Sequence, residues 1–265
     1  MKVKNILIVG DDGYDSIGTR VLIHFLKDKF NLKIAATKEQ QSGVGGKMTL
    51  AKEVGWGEAA VDGVDALWVD GTPVDAIEFA RNYFKKKFDL VISGINLGAN
   101  VTNGIISSGT FAVAFRALAL EIADKALVMS WNCPDDFWCR EGDANDEFRR
   151  FLDYPGYPAD KIIELAFKND FWGSAILNVN FPIQKSDKAV FTKLLSNGSD
   201  FYNSFIEINE KKHSYIHPYG VVEGKGDINF DGNALRAGYI SITPCRPDFL
   251  NEKVYEKLKG KSFEI

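Results

Sequence analysis

The chain has 265 residues, 32 Lys and Arg against 36 Asp and Glu, a net charge of −4, and 45% apolar with 26% charged side chains. That composition excludes disorder and fibrous structure. The mildly acidic balance argues against a protein that coats duplex nucleic acid, which needs clustered Lys and Arg.

The first two-thirds of the chain alternate short apolar runs with helical patterns. Residues 6–9 read as a buried strand, and Val21, Leu22, Phe25 and Leu26 then share one helical face. Residues 32–36 and 67–69 are the next strands, the latter followed by a helix carrying Ile77, Ala80 and Phe84. Residues 89–93 form a fourth strand, 110–123 a helix, and 126–129 a fifth strand. Strands that are apolar throughout and alternate with helices predict a mostly parallel sheet covered on both faces, an α/β fold of Rossmann type. From about residue 186 the pattern turns to β-type runs, at 189–195, 204–208 and 239–242, broken by Asn197-Gly198 and Pro218-Tyr219-Gly220, with a short helix at 250–258. We therefore expect an α/β core over residues 1–185 and a β-rich arm with a C-terminal segment over 186–265, its 237–244 strand returning to the core.

Cys133, Cys139 and Cys245 fit no disulfide framework and include no Cys-x-x-Cys pair, so a reducing, cytoplasmic setting is expected. The apolar stretch at residues 6–9 is too short for a signal-peptide core, and no run reaches the length of a membrane span.

In an open parallel sheet, ligands bind outside the carboxyl ends of the strands, so the residues that follow each apolar run carry the functional information. These are Gly10-Asp11-Asp12-Gly13, the loop from Gln40 to Gly46, and the stretch from Ser93 through Asn96 and Asn100 to Ser107-Ser108-Gly109-Thr110. Paired aspartates at a strand end are costly to hold together without a cation between them. Carboxylate, Asn and Ser oxygens suit Mg²⁺ or Mn²⁺ better than Zn²⁺. A plain Asp-Asp-Gly turn is the alternative. Ser107 to Thr110 precede a helix, where free amides favour phosphate or where a hydroxyl simply caps the helix. Several other signatures fail. Lys47 is followed by Met48 rather than Ser or Thr, and no G-x-G-x-x-G, Asp-x-Asp at Asp11 or Asp12, Cys-x5-Arg or G-x-S-x-G occurs. The tryptophans, Trp56, Trp68, Trp131, Trp138 and Trp172, read mainly as core, and His213 and His217 as structural or solvent-facing.

Four motifs in order carry a resemblance: Asp11-Asp12-Gly13, Ser42-Gly43, Ser93-Gly94-Ile95-Asn96 continuing to Gly98 and Asn100, and Ser108-Gly109-Thr110. With Gly71-Thr72-Pro73, residues 178–182 and residues 238–244, the chain resembles the survival-protein SurE family of 5′-nucleotidases. The resemblance implies a divalent-metal-dependent phosphomonoesterase acting on nucleoside monophosphates, and assembly as a homodimer or homotetramer. It implies metal ligands at Asp11, Asp12, Ser42 and Asn96, with a catalytic role for Asp12 and Asp11. Asn100, Ser107, Ser108, Gly109 and Thr110 would line the phosphate pocket. Two departures stand out: Gly10 where the family usually has Asn, and Asp15-Ser16-Ile17-Gly18 where it usually carries Ala-Pro-Gly. They leave a catalytically weakened nucleotide- or phosphate-binding protein as the alternative.

Overall fold

A computed structural model describes residues 3–134, 145–203, 206–217, 220–248 and 252–261. Trp138, Cys139, Leu250, the start of the strand expected from Ser204, and Pro218 and Tyr219 lie outside the described residues. The chain runs β1 (Asn5–Val9), α1 (Ile17–Leu26), β2 (Asn31–Thr37), β3 (Trp56–Val61), β4 (Val64–Val69), α2 (Pro73–Phe84), β5 (Leu90–Leu97), α3 (Gly109–Ala119) and β6 (Ala126–Trp131). It continues with α4 (Asn145–Phe151), α5 (Tyr157–Lys168), β7 (Ile176–Phe181), β8 (Ala189–Phe191), β9 (Glu207–Asn209), β10 (Ser214–Ile216), α6 (Asp231–Arg236), β11 (Ile240–Cys245) and α7 (Glu252–Leu258).

Nine of these strands form one sheet in the order β3-β4-β2-β1-β5-β6-β7-β11-β8. The six from β4 to β7 in that order are mutually parallel, while β3 and β11 run antiparallel to β4 and β7. The predicted α/β class is therefore the observed one. Alternate residues of β1 serve opposite faces: Ile6 and Ile8 pack with Val21 and Leu22 of α1 and Ile162 and Ile163 of α5. Leu7 and Val9 pack with Ile77 of α2 and Phe111 and Val113 of α3. Continuous apolar strands thus follow from having helices on both sides.

From β1 the chain moves outward through β2 to β4, then returns to β5 and proceeds the other way through β6 to β7. The carboxyl ends of the neighbouring strands β1 and β5 therefore form the switch point, where connections diverge and leave a crevice.

The structure differs from the sequence reading in four places. First, β3 pairs with β4 as a hairpin, through a turn at Asp62 and Gly63 with φ of 47° and 87°. The Asp-Gly dipeptide is the signal that finds it. Second, α4, α5 and β7 fill residues 145–181, for which no elements are predicted. Third, β5 does not end at Ser93: its register with β6 slips between Ser93 and Asn96 and pairing resumes at Asn96↔Ser130 and Leu97↔Trp131. Asn96 is consequently held by the sheet rather than by a loop. Fourth, the expected strand at 189–195 is confined to Ala189–Phe191.

The loop between β2 and β3, which carries Ser42, is tied down at the start of α2. Thr72 and Asp75 form a capping box there. The Asp75 carboxylate also accepts from the N–H and hydroxyl of Thr49 at 2.8 Å each, and the Thr72 hydroxyl donates to Lys47 O at 2.7 Å. These bonds hold the Asp75 carboxyl below its usual range despite its burial. Among the described residues no helix is long and apolar enough to cross a membrane.

Candidate functional site

Asp11 and Asp12 follow β1 directly at the switch point, beside the end of β5. Asp11 is buried, and its Oδ1 accepts the Thr110 hydroxyl at 2.5 Å. Its other oxygen lies against the start of α3. A Cβ built on Gly109 would stand 2.7 Å from Asp11 Oδ2, so the middle residue of Ser108-Gly109-Thr110 is glycine because the carboxylate occupies that space. Asp12 is partly buried, accepting from Leu97 N–H at 2.9 Å and from Gln40 Nε2 at 3.2 Å. Gln41 N–H donates to Asp11 O at 2.6 Å, which brings the Ser42 loop to the same rim.

Burial raises the proton affinity of the Asp11 carboxyl, against the hydrogen bonds from Thr110 that lower it. Burial also raises that of Asp12, and the Asp11 charge adds to the rise. Two carboxyls so placed are under pressure to take up a proton or a cation. Among the described residues no three His, Cys, Asp or Glu side chains gather together. A cation here would therefore rest on the two aspartates completed by neutral oxygens. That donor set fits a hard divalent ion rather than zinc, whose usual ligands are thiolate and imidazole.

Asp11, Ser42, Asn96, Asn100, Ser107 and Ser108 line one cavity of about 420 Å³, so six of the nine sequence-selected residues share it directly. Asp12, Gly109 and Thr110 adjoin it through Asp11 and the bonds above. Asn96 Nδ2 donates to Gly98 O at 2.9 Å, and Ser107 Oγ donates to Gly104 O at 2.8 Å. Beneath Asn100 lies a polar network. Its Nδ2 donates to Ser130 Oγ at 2.9 Å and to Thr110 Oγ1 at 3.3 Å, and the Thr110 hydroxyl in turn donates to Asp11. Turned this way, the Asn100 amide uses both of its N–H groups on the protein. Ser93 Oγ donates to Thr110 O at 2.7 Å and so fixes the helix start to β5.

The amides at the start of α3 divide in the same manner. Ser108 caps the helix, its Oγ accepting from Phe111 N–H at 3.0 Å, while its own N–H donates to Ile105 O at 3.1 Å. The Thr110 N–H serves the Asp11 carboxylate. The Gly109 N–H, in the first helical turn, has no carbonyl of its own helix to bond. The helix-cap reading and the anion reading of this segment are thus compatible. At Gly10 a Cβ would find nothing nearer than Gly94 N at 3.9 Å, so the space beside the aspartates is open where a larger side chain would sit.

The cavity has a second wall that the sequence reading missed, made by Tyr202, Asn203, His217 and Gly220. His217, expected to be structural or solvent-facing, is exposed at this rim. Nothing local in the sequence marks these residues, because about a hundred positions separate them from Asn100 and only the fold brings them near. Of the tryptophans, Trp131 is buried, but Trp56 and Trp172 are 49% and 40% exposed, contrary to a core role. Trp56 packs at a tilt on Phe79 of α2 away from this cavity, and Trp172 meets Phe191 of β8 edge-on.

The family model for the survival protein SurE matches residues 6–202. The chain is 28% identical over 263 residues to a protein of Clostridium botulinum (strain Alaska E43 / Type E3) named 5'-nucleotidase SurE, covering 98% of this chain and all of that one. It is 32% identical over 269 residues to a protein of the same name from Aliarcobacter butzleri, covering 97% of each. The crystal structure of the SurE protein from Aquifex aeolicus superposes with a TM-score of 0.72 at 25% identity, over 96% of this chain and 98% of that one. With the paired aspartates at the switch point and a family match that spans the sheet from β1 to the cavity's far wall, the chain belongs to the SurE family.

Proposed function

We propose that the protein is a divalent-metal-dependent phosphomonoesterase that hydrolyses nucleoside 5′-monophosphates to nucleoside and phosphate. The observation that carries this reading is the buried Asp11, with Asp12 beside it, on a cavity it shares with Ser42, Asn96, Asn100, Ser107 and Ser108. The relatives' shared name, 5'-nucleotidase, supports the choice of substrate.

Asp11, Asp12, Ser42 and Asn96 would hold Mg²⁺ or Mn²⁺. Such an ion supplies positive charge to a phosphoryl group and acidifies water. The protein's own groups do the rest. The Gly109 N–H, at the positive end of α3, faces a phosphoryl oxygen on which negative charge grows. Ser107 and Ser108 complete that side of the pocket. Asn100 acts through Thr110, keeping its hydroxyl on Asp11 and so holding that carboxylate at the pocket floor. Asp12, with its raised proton affinity, accepts a proton from the attacking water while Gln40 and Leu97 fix its orientation. A new P–O bond forms to water, whose proton goes to Asp12; the ester P–O bond breaks, and the nucleoside oxygen leaves as the alcohol, taking its proton from solvent.

The test is a panel of 5′- and 3′-nucleotides, short polyphosphate and an aryl phosphate, each assayed with Mn²⁺, Mg²⁺ and a chelator. We expect chelator-sensitive phosphate release, greatest with 5′-nucleotides. Nucleotide binding without turnover under every metal would favour the weakened, ligand-binding reading, for which the open space at Gly10 is the motivating observation.

A homo-oligomer is part of the same reading. The β9–β10 hairpin exposes Ile206, Ile208, Tyr215 and Ile216, between 43% and 68%, and none of its residues is buried. An apolar patch of that kind on a soluble chain calls for a partner. Replacing Ile208 and Tyr215, which face each other across the hairpin, by Asp should convert a dimer or tetramer to a smaller species in light scattering. An unchanged mass would remove the hairpin from the interface. The Cys245 thiol, free among the described residues, supports a reducing, cytoplasmic setting.

A further inference from the structure

The segment at residues 98–103 leaves the sheet after β5 and carries Asn100 to the cavity, yet its peptide groups are not orphaned. Side chains from elsewhere hold them. The Asn180 carboxamide, from β7, accepts the Asn100 N–H at 2.7 Å and donates to Asn100 O at 3.0 Å, imitating a strand partner. Asn178 donates to the same oxygen at 2.8 Å. Further bonds come from the C-terminal third of the chain. Tyr202 Oη donates to Ala99 O at 2.6 Å and accepts the Val101 N–H at 3.3 Å, so one hydroxyl bridges the peptides on either side of Asn100. The buried Asp231 carboxylate accepts the Thr102 N–H at 2.7 Å.

Tyr202 is itself firmly seated. Its N–H donates to Gly198 O at 2.8 Å, and its ring meets the fully buried Phe201 edge-on at 4.9 Å between centroids. Its position is therefore set by how residues 195–236 dock on the core.

We propose that Tyr202 is a positioning residue of the catalytic site: by bridging Ala99 and Val101 its hydroxyl fixes Asn100, and through Thr110 it fixes Asp11. The proposal rests on the nucleotidase reading for its catalytic consequence, but its structural part stands independently. If Asn100 shifts, its Nδ2 leaves Thr110, and the Thr110 hydroxyl is freed to turn away from Asp11. Turnover then depends on the seating of a segment that makes no chemistry of its own, and a change in how the arm docks alters the site without touching the substrate.

The test is Tyr202→Phe, which keeps the ring and its packing and removes only the hydroxyl. Losing a bridging hydrogen bond should lower kcat about tenfold with KM little changed, and should lower the unfolding temperature only modestly, so that the protein remains fully folded at assay temperature. In the metal-free protein, hydrogen exchange at the Val101 and Thr102 amides should quicken while the β1 amides stay protected. Wild-type kcat, or unchanged exchange at Val101, overturns the proposal. So does a variant that loses activity only in proportion to unfolded protein, since the hydroxyl would then be a general fold contact. A wild type without chelator-sensitive turnover is a failure of the nucleotidase reading alone. The exchange measurement then still decides whether the hydroxyl holds the Asn100 segment.

Discussion

Asp11→Asn and Asp12→Asn are each expected to lower chelator-sensitive phosphate release by roughly a thousandfold or more, the scale of losing a principal charge-bearing group at a phosphoryl site. The same substitutions should move stability the other way. Both carboxyls are pushed by burial toward the neutral form, and the Asp11 charge pushes Asp12 further. Removing one charge relieves that repulsion, so metal-free Asp12→Asn should unfold at a higher temperature than metal-free wild type. Addition of Mn²⁺ should raise the wild-type transition, by the general rule that a ligand of the native state stabilises it, and leave that of the variant nearly unmoved. Thermal scans with and without chelator, beside a phosphate-release assay, read both effects. Wild-type turnover in either variant sinks the assignment of that residue, and equal Mn²⁺ shifts in wild type and variant sink the cation site.

Gly18→Ala should be severely destabilising. A Cβ at that position would lie 1.9 Å from Ile95 O and under 3 Å from two more Ile95 backbone atoms. The first turn of α1 crosses β5 at backbone contact, where no side-chain rotation gives relief. Forced separation should cost about 3 kcal/mol or more, seen as a large fall in the urea midpoint or in soluble yield. Because Ile95 precedes Asn96, any protein that does fold should also bind Mn²⁺ more weakly. An unfolding free energy within about 0.5 kcal/mol of wild type would show that α1 is free to shift away from β5. The contact also explains why glycine stands at position 18.

How much was legible beforehand follows from which forces are local. The parallel core could be read because the stretches Ile6–Val9 of β1, Ile34–Ala36 of β2, Leu90–Ile92 of β5 and Ala126–Met129 of β6 are buried and apolar without interruption. The hairpin strand β3 escaped because Trp56–Val61 alternates exposed and covered positions and carries no apolar run. The helices in residues 145–168 escaped because Pro155, Gly156 and Pro158 interrupt their pattern, although Ile162, Ile163 and Ala166 pack on α1's side of the sheet. The end of β5 was misjudged because Gly94 and Asn96 look like a loop, and only the slipped register with β6 keeps them in the sheet.

Of the site, the sequence by itself determined the chemistry: few His and Cys, two adjacent aspartates at a strand end, and oxygen-bearing loops after two other strands, in the order of the SurE family. Those features are short-range, since strand-end residues of a parallel sheet must converge on one rim. The tertiary structure decided which groups are left to act. It turned the Asn100 amide inward to Ser130 and Thr110, gave the Thr110 hydroxyl to Asp11, and closed the cavity with Tyr202 and His217 from a distant part of the chain. Those assignments depend on where hydrogen-bond donors find acceptors once the chain is packed, which residue order alone does not specify.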